Sequence, residues 1–190
     1  MASESKSIPG FQDMWDAFPQ GSADAVKSQI GGSVNQGWLT DTSIVSLCHA
    51  FNTGGEAIPK ALQFADASPP KKLNTTSGPS RDDGPAWRYA FRAAEFLKYL
   101  RETFGEPDLK ESGGAVPASF GSRKGVVVFL DCGWTHAPAH IDLWNGTQCA
   151  GAGYFSEAKD LLLWECKSIW KPEEATAEEG GVVLSLTLPT

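Results

Sequence analysis

Hydrophobic positions follow helical spacing through the first hundred residues and gather into short apolar blocks after residue 125. Residues 8–19, IPGFQDMWDAFP, combine aromatic anchors with two prolines and predict a short helix packed on the body. A second helix is expected from Ser22 to Ile30, with Ser22 or Asp24 near its cap and Gly31-Gly32 as its stop. Ile44, Leu47, Cys48 and Phe51 then fall at i, i+3, i+4 and i+7, one face of a helix. Asp41 is its expected N-cap, and residues 52–55 (NTGG) end it. Residues 66–85 are rich in Pro, Ser, Gly and charge and predict a long loop. Pro85 is expected to open the longest helix, residues 86–104, with Tyr89, Ala93, Phe96, Leu97, Leu100 and Phe104 on its buried face. Residues 106–122 read as another loop.

The strand-forming part begins with Val126-Val127-Val128-Phe129-Leu130, apolar on both faces. It breaks at Asp131-Cys132-Gly133 and re-enters a strand at His140-Ile141-Asp142-Leu143-Trp144, closed by Asn145-Gly146, a strong hairpin signal. Further strands are expected at residues 161–166 and, after an acidic linker at 173–179, at residues 182–188. Helices come first and antiparallel strands last, the α+β pattern.

At 190 residues the chain fits one domain, residues 1–190, large enough to bury a real core. Its formal net charge of -7 argues against general affinity for nucleic-acid phosphate or an anionic membrane. No apolar run approaches the roughly 20 residues that span a bilayer. The N-terminus MASESKSIPGF lacks a hydrophobic signal core, so synthesis in the cytoplasm without a cleavable signal is expected. Cys48, Cys132, Cys149 and Cys166 form no zinc-like spacing, and with three histidines they offer no ligand cluster; neither a metal nor another cofactor is expected. The spacing leaves three thiol arrangements open: buried free thiols, a Cys132–Cys149 bridge or a Cys149–Cys166 bridge.

His140 opens a strand in the most aromatic part of the chain, a position suited to acid–base work. A nucleophile acting with it belongs at a helix N-terminus, where the dipole and free N–H groups stabilise a thiolate or an oxyanion. The helix after Asp41 offers that place, and the residue in it is Ser43. Cys48 lies more than a turn further along on the apolar face and reads as a core thiol; His49 reads as a surface or core residue. His136 reads as a rim residue. Two roles fit Asp142, which shares a strand face with His140: it orients the imidazole, or it is a solvated carboxylate at the sheet. Trp134, in a glycine-flanked loop, is a packing residue or lines a cleft.

The run GVVVF…GW…HIDLWNG followed by GYF resembles the type VI secretion amidase effectors of family 4, which share the papain-like NlpC-type fold. WDAFP, the IGG at 30–32 and a helix ending in AFN agree in order, so the resemblance runs from about Phe11 to Trp164. It implies a helical first half packed on an antiparallel sheet. It implies cleavage of the amide between D-glutamate and meso-diaminopimelate in bacterial cell-wall stem peptides, after export to the cell wall or periplasm. It also implies an immunity protein as partner. The family motif is similar to Asn-Thr-Cys-Ala-x-Arg-x-Ser-x-Ala-Leu-Asn. Residues 41–52 here read DTSIVSLCHAFN, so the nucleophilic cysteine falls on Ser43 and the arginine on Ser46. The family histidine falls on His140. The family's aspartate, expected soon after the hairpin turn, meets Gln148-Cys149-Ala150-Gly151, which leaves Asp142 or a backbone carbonyl to orient the imidazole. The expected catalytic set is therefore Ser43, His140 and Asp142, with Trp134 and Thr42 as substrate contacts.

Three explanations fit Ser43: an inactivating Cys→Ser change, a natural relative that binds wall peptides without cutting them, or a working serine amidase. The first is favoured because the rest of the site is kept. The missing third acid and Ser46 favour the second.

Overall fold

The computed structural model describes residues 6–65, 71–80, 84–135 and 137–166. Among the described residues four helices, α1 (Phe11–Ala17), α2 (Ala23–Ile30), α3 (Ser43–Thr53) and α4 (Ala93–Phe104), precede a four-stranded antiparallel sheet. Its strands are β5 (Leu109–Ser112), β6 (Gly125–Leu130), β7 (Ala139–Trp144) and β8 (Asp160–Glu165), in the order β5-β8-β6-β7. Two short ladders lie outside this sheet: β1 (Leu62–Gln63) with β2 (Lys72–Leu73), and β3 (Thr75–Ser77) with β4 (Arg88–Ala90). The fold is α+β, as the order of periodicities implies.

The apolar run of β6 is explained by what it faces. Val126 and Val128 enter the core shared with the helices, and Val127 and Phe129 enter a second core with Phe120, Trp144, Leu161 and Leu163. A strand covered on both sides has no polar face to show. α3 is buried nearly all round, with Ile44, Val45, Leu47, Cys48, Ala50 and Phe51 inside, and packs against α1, β4 and β7. Its polar residues make specific ties: Asn52 Oδ1 accepts from the Ile58 N–H at 2.9 Å, and its Nδ2 donates to the Arg88 carbonyl at 3.0 Å. The Cys48 thiol, buried and with its pKa driven up by that burial, accepts from the Ala90 N–H at 3.3 Å. Its role is structural.

The hairpin lies where the pattern placed it. β6 pairs with β7 so that His140 sits opposite Phe129 and Asp142 opposite Val127. Beyond Trp144, the Asn145 side-chain oxygen accepts from the backbone N–H of Thr147 and of Gln148, and Gly146 takes a positive φ of 98°. The chain then returns beside β7, with the Ala150 N–H on the Leu143 carbonyl at 2.9 Å.

Three expectations are corrected. The helix expected over 86–104 begins at Ala93; Arg88–Ala90 is instead the strand β4. Tyr89 is buried as expected, but in a ladder opposite Thr76. The β-branched Thr75 and Thr76 supply that partner from within the region read as loop, which also contains β2. Asn74 completes the junction: its backbone N–H and side-chain nitrogen both donate to Glu95 in the first turn of α4, each at 2.7 Å. The segment 106–122, also read as loop, contributes the edge strand β5 and a 3-10 turn at Ala118–Phe120. Of the three thiol arrangements that the spacing left open, free thiols are the one found at all four cysteines. The expected acidic linker and the strand at 182–188 lie outside the described residues.

His49 is half-buried, its Nδ1 3.0 Å from the Tyr89 hydroxyl and its ring edge-on to Trp87. Burial holds its pKa below the ordinary value. The unfolded chain therefore takes up a proton below about pH 6.5 that the folded chain resists. The stability tied to a neutral His49 is complete above that pH and is lost as the pH falls through the lowered folded-state pKa. Denaturant unfolding at pH 7.5 and 5.5 should show a drop that is smaller in His49→Gln.

Candidate active site

Ser43 is the first residue of α3, and its surroundings follow from the capping of that helix. Thr42 is the backbone cap residue, one position later than expected, and its side chain makes no cap bond. Asp41 supplies that bond instead: one carboxylate oxygen accepts from the Ser43 N–H at 2.9 Å and from the Ser43 hydroxyl at 2.8 Å. The first turn of a helix carries N–H groups without intrahelical partners, which favour negative charge nearby. Position 43 thus stands at an anion-stabilising helix end, with its hydroxyl proton directed to Asp41.

His140 faces this helix end from β7. Its Nε2 lies 3.4 Å from Asp142 Oδ2, a long contact that pairs one ring nitrogen with the carboxylate. A neutral imidazole that donates from Nε2 to this carboxylate carries its lone pair on Nδ1. Three aromatic rings surround the imidazole: Tyr154 with centroids 4.8 Å apart, Phe129 at 6.0 Å and Trp134 at 6.4 Å. Trp134 is in turn edge-on to Tyr154 at 4.7 Å. The loop carrying Trp134 leaves β6 through Asp131, a non-glycine residue at φ 51°, and Gly133 at φ 79°.

Asp142 is buried, 1% exposed, and its carboxylate is satisfied by backbone. Oδ1 accepts from the Leu143 N–H at 2.7 Å, Oδ2 accepts from the Ala152 N–H at 2.8 Å, and the Gly151 N–H reaches both oxygens. A Cβ on Gly151 would come within 2.8 Å of Oδ2, so only glycine allows this approach. Of the two roles open to Asp142, a solvated carboxylate is thereby excluded. The return segment after the Asn145-Gly146 turn, which lacks an acid, presents amides to an acid on the strand beside it.

Two hollows meet at Thr42 and His140. One, about 370 Å³, runs between the α1–α2 connection and the site, past Phe18, Gln20, Ser43, Ser46 and Ala152. The other, about 470 Å³, is walled by Thr40, Asp41, Ala137, Trp134 and Tyr154. The structure therefore brings Ser43, His140, Asp142, Thr42 and Trp134 to one cleft. Tyr154, Gln20 and Asp41 line it as well and had not been read as site residues. The sequence signal for Tyr154 was the Gly-Tyr-Phe after the hairpin; for Gln20 there was none, because the α1–α2 connection approaches only in the folded chain. Cys48 and His49 lie elsewhere on α3, and His136 is outside the described residues. Among the described residues no group of three or more His, Cys, Asp or Glu side chains is placed to hold a metal ion.

The family model described as type VI secretion system (T6SS), amidase effector protein 4 (Tae4) matches residues 41–164, the span that holds every proposed catalytic residue. The fold is similar to that of the Tae4 effector of Salmonella typhimurium solved in complex with the Tai4 immunity protein of Enterobacter cloacae. Identity is 27% and the TM-score 0.67, over 83% of this chain and 98% of that one. The Tae4–Tai4 complex of Salmonella Typhimurium gives 29% identity and a TM-score of 0.65, over 83% and 97% of the two chains. The Tae4 effector of Enterobacter cloacae gives 24% and 0.70, over 86% and 99%, a likeness of fold. No curated protein matches the sequence.

Removing the Asp142 carboxylate leaves the amides of Leu143, Gly151 and Ala152 without this acceptor. Asp142→Ala should lower stability by about 3 kcal/mol, measured by denaturant unfolding. Asp41→Ala should lower it by about 1 kcal/mol through loss of the helix cap, whereas Asp41→Asn should stay near the parent.

Proposed function

The chain belongs to the Tae4 family of type VI secretion amidase effectors, and on that premise we propose that it is a peptidoglycan amidopeptidase weakened by serine at its nucleophile position. The bond cut is the amide between D-glutamate and meso-diaminopimelate in the stem peptide. The observation that carries this reading is the meeting of Ser43, at the start of α3, and His140, backed by Asp142, across one cleft. The chain acts as a single amidase-like domain, residues 1–190, exported to reach the cell wall of a target bacterium. An immunity protein is its partner; support comes from the solved relatives, which were crystallised with Tai4.

The chemistry follows from the site. His140 Nδ1 takes the proton of the side chain at 43 as that atom attacks the amide carbonyl. The amides at the start of α3 stabilise the oxyanion that forms. His140 then returns the proton to the leaving amine, and water, activated by the same imidazole, releases the acyl group. Asp142 holds the imidazole in the tautomer this requires. Thr42 and Trp134, on the walls of the cleft, contact the peptide. With cysteine at 43 the attacking group can be a thiolate paired with imidazolium before substrate arrives; a serine hydroxyl, of far higher pKa, cannot.

One observation favours a second reading, a wall-peptide binder that does not cut. The Ser43 hydroxyl donates to Asp41, so its proton is directed to a carboxylate rather than to the imidazole. Incubation with defined muropeptides separates the two readings. Ser43→Cys should raise hydrolysis by about 10²-fold or more, and His140→Ala added to it should remove the gain. Tight muropeptide binding with no product from Ser43→Cys would establish the second reading instead.

A further inference from the structure

The Asp41 carboxylate is the charged group bonded directly to position 43. It meets both the backbone N–H and the side-chain oxygen of that residue with a single oxygen. A carboxylate is a good acceptor for a neutral hydroxyl, and a poor neighbour for a thiolate, which has no proton to donate and carries the same charge. An asparagine at 41 would offer a side-chain oxygen that caps a helix equally well and carries no charge.

We propose that Asp41 is a positioning residue matched to serine, holding the Ser43 hydroxyl as a neutral donor and opposing ionisation of any thiol placed there. On this inference the serine is the residue this site is built around, and changing 43 alone restores only part of the activity of a cysteine amidase. The inference rests on the reading of 43 as the nucleophile position for its bearing on catalysis. The Asp41–43 coupling itself can be measured without substrate.

The other titratable groups lining the cleft act on position 43 in known directions. His140, when protonated, favours a thiolate. Asp142 already receives the amides of residues 143, 151 and 152 together with His140, and Tyr154 lies beyond the imidazole. These groups are common to both variants compared below, so they cancel in the comparison. Asp41 is exposed, so water and salt screen its influence, and the effect should weaken as ionic strength rises.

The test compares Ser43→Cys with Asp41→Asn/Ser43→Cys. Alkylation at residue 43 by iodoacetamide is followed against pH by peptide mass mapping, with the parent protein as the blank for the four natural thiols. The double variant should ionise lower by about one pH unit at low salt, with the gap narrowing at high salt. Equal titration midpoints in the two variants, or a lower midpoint in the single variant, would overturn the proposal. Parallel melting curves guard the comparison, because asparagine keeps the cap. Muropeptide cleavage is read on the same samples: a shifted midpoint with no cleavage by either variant overturns the amidase reading and leaves the coupling standing. Cleavage with no shift does the reverse.

Discussion

A buried carboxylate organises the cleft. Asp142 has almost no access to water, so its charge must be met by the protein, and it is met by three backbone amides and one imidazole nitrogen. An unpaired charge in such a place is strongly unfavourable, whereas one ringed by N–H donors is held. The requirement determines several features together. The strand must turn at Asn145-Gly146 and come back, residue 151 must lack a side chain, and His140 must lie with Nε2 towards the acid. The orientation of the His140 ring is thus tied to satisfying a carboxylate two residues away.

The second support is α3, whose two ends do different work. Its middle and C-terminal part are locked into the core, with Cys48 and Asn52 tied to β4 and to residue 58. Its first turn emerges into the cleft, so residue 43 is presented by a rigid element whose remainder cannot move without breaking the core. The partner residue sits on β7, an edge strand of the sheet. One side of β7 pairs with β6, the return segment bonds to its other side at Leu143, and α3 packs against the strand. Helix end and strand edge are a general way of placing two reacting groups across a gap, and their rigidity matters more than their individual chemistry.

Within the proposed mechanism, the two members of the pair are unequally prepared. The imidazole is surrounded by aromatic rings and backed by an acid, as a base should be. The group opposite it is a hydroxyl whose proton is bonded to a different acceptor, Asp41. The site therefore keeps the architecture of an acyl-transfer centre while the step that begins the chemistry is disfavoured. Belonging to the amidase effector family shows the class of reaction; on the reading proposed above, the residue at 43 and its neighbour would set how much of it this chain performs.

Much of this was legible in the chain because the signals were local. The periodicity of α3, the doubly apolar β6 and the Asn-Gly turn each lie within a few residues of one another, and each appears where the pattern placed it. That a strand histidine and a helix-opening residue line one cleft was also in keeping with the sequence, since a helix N-terminus announces itself through its capping residue. What failed was non-local. Tyr89 belongs to a strand rather than a helix because its partner, Thr76, lies across a proline-rich segment that carries no visible pairing signal. β5 owes its existence to an open edge on β8. The role of Asp142 was undecidable for the same reason, because its ligands are amides, which every residue possesses and no sequence pattern marks. Side-chain periodicity determines which faces are buried; only the folded chain determines which backbone groups meet a buried charge.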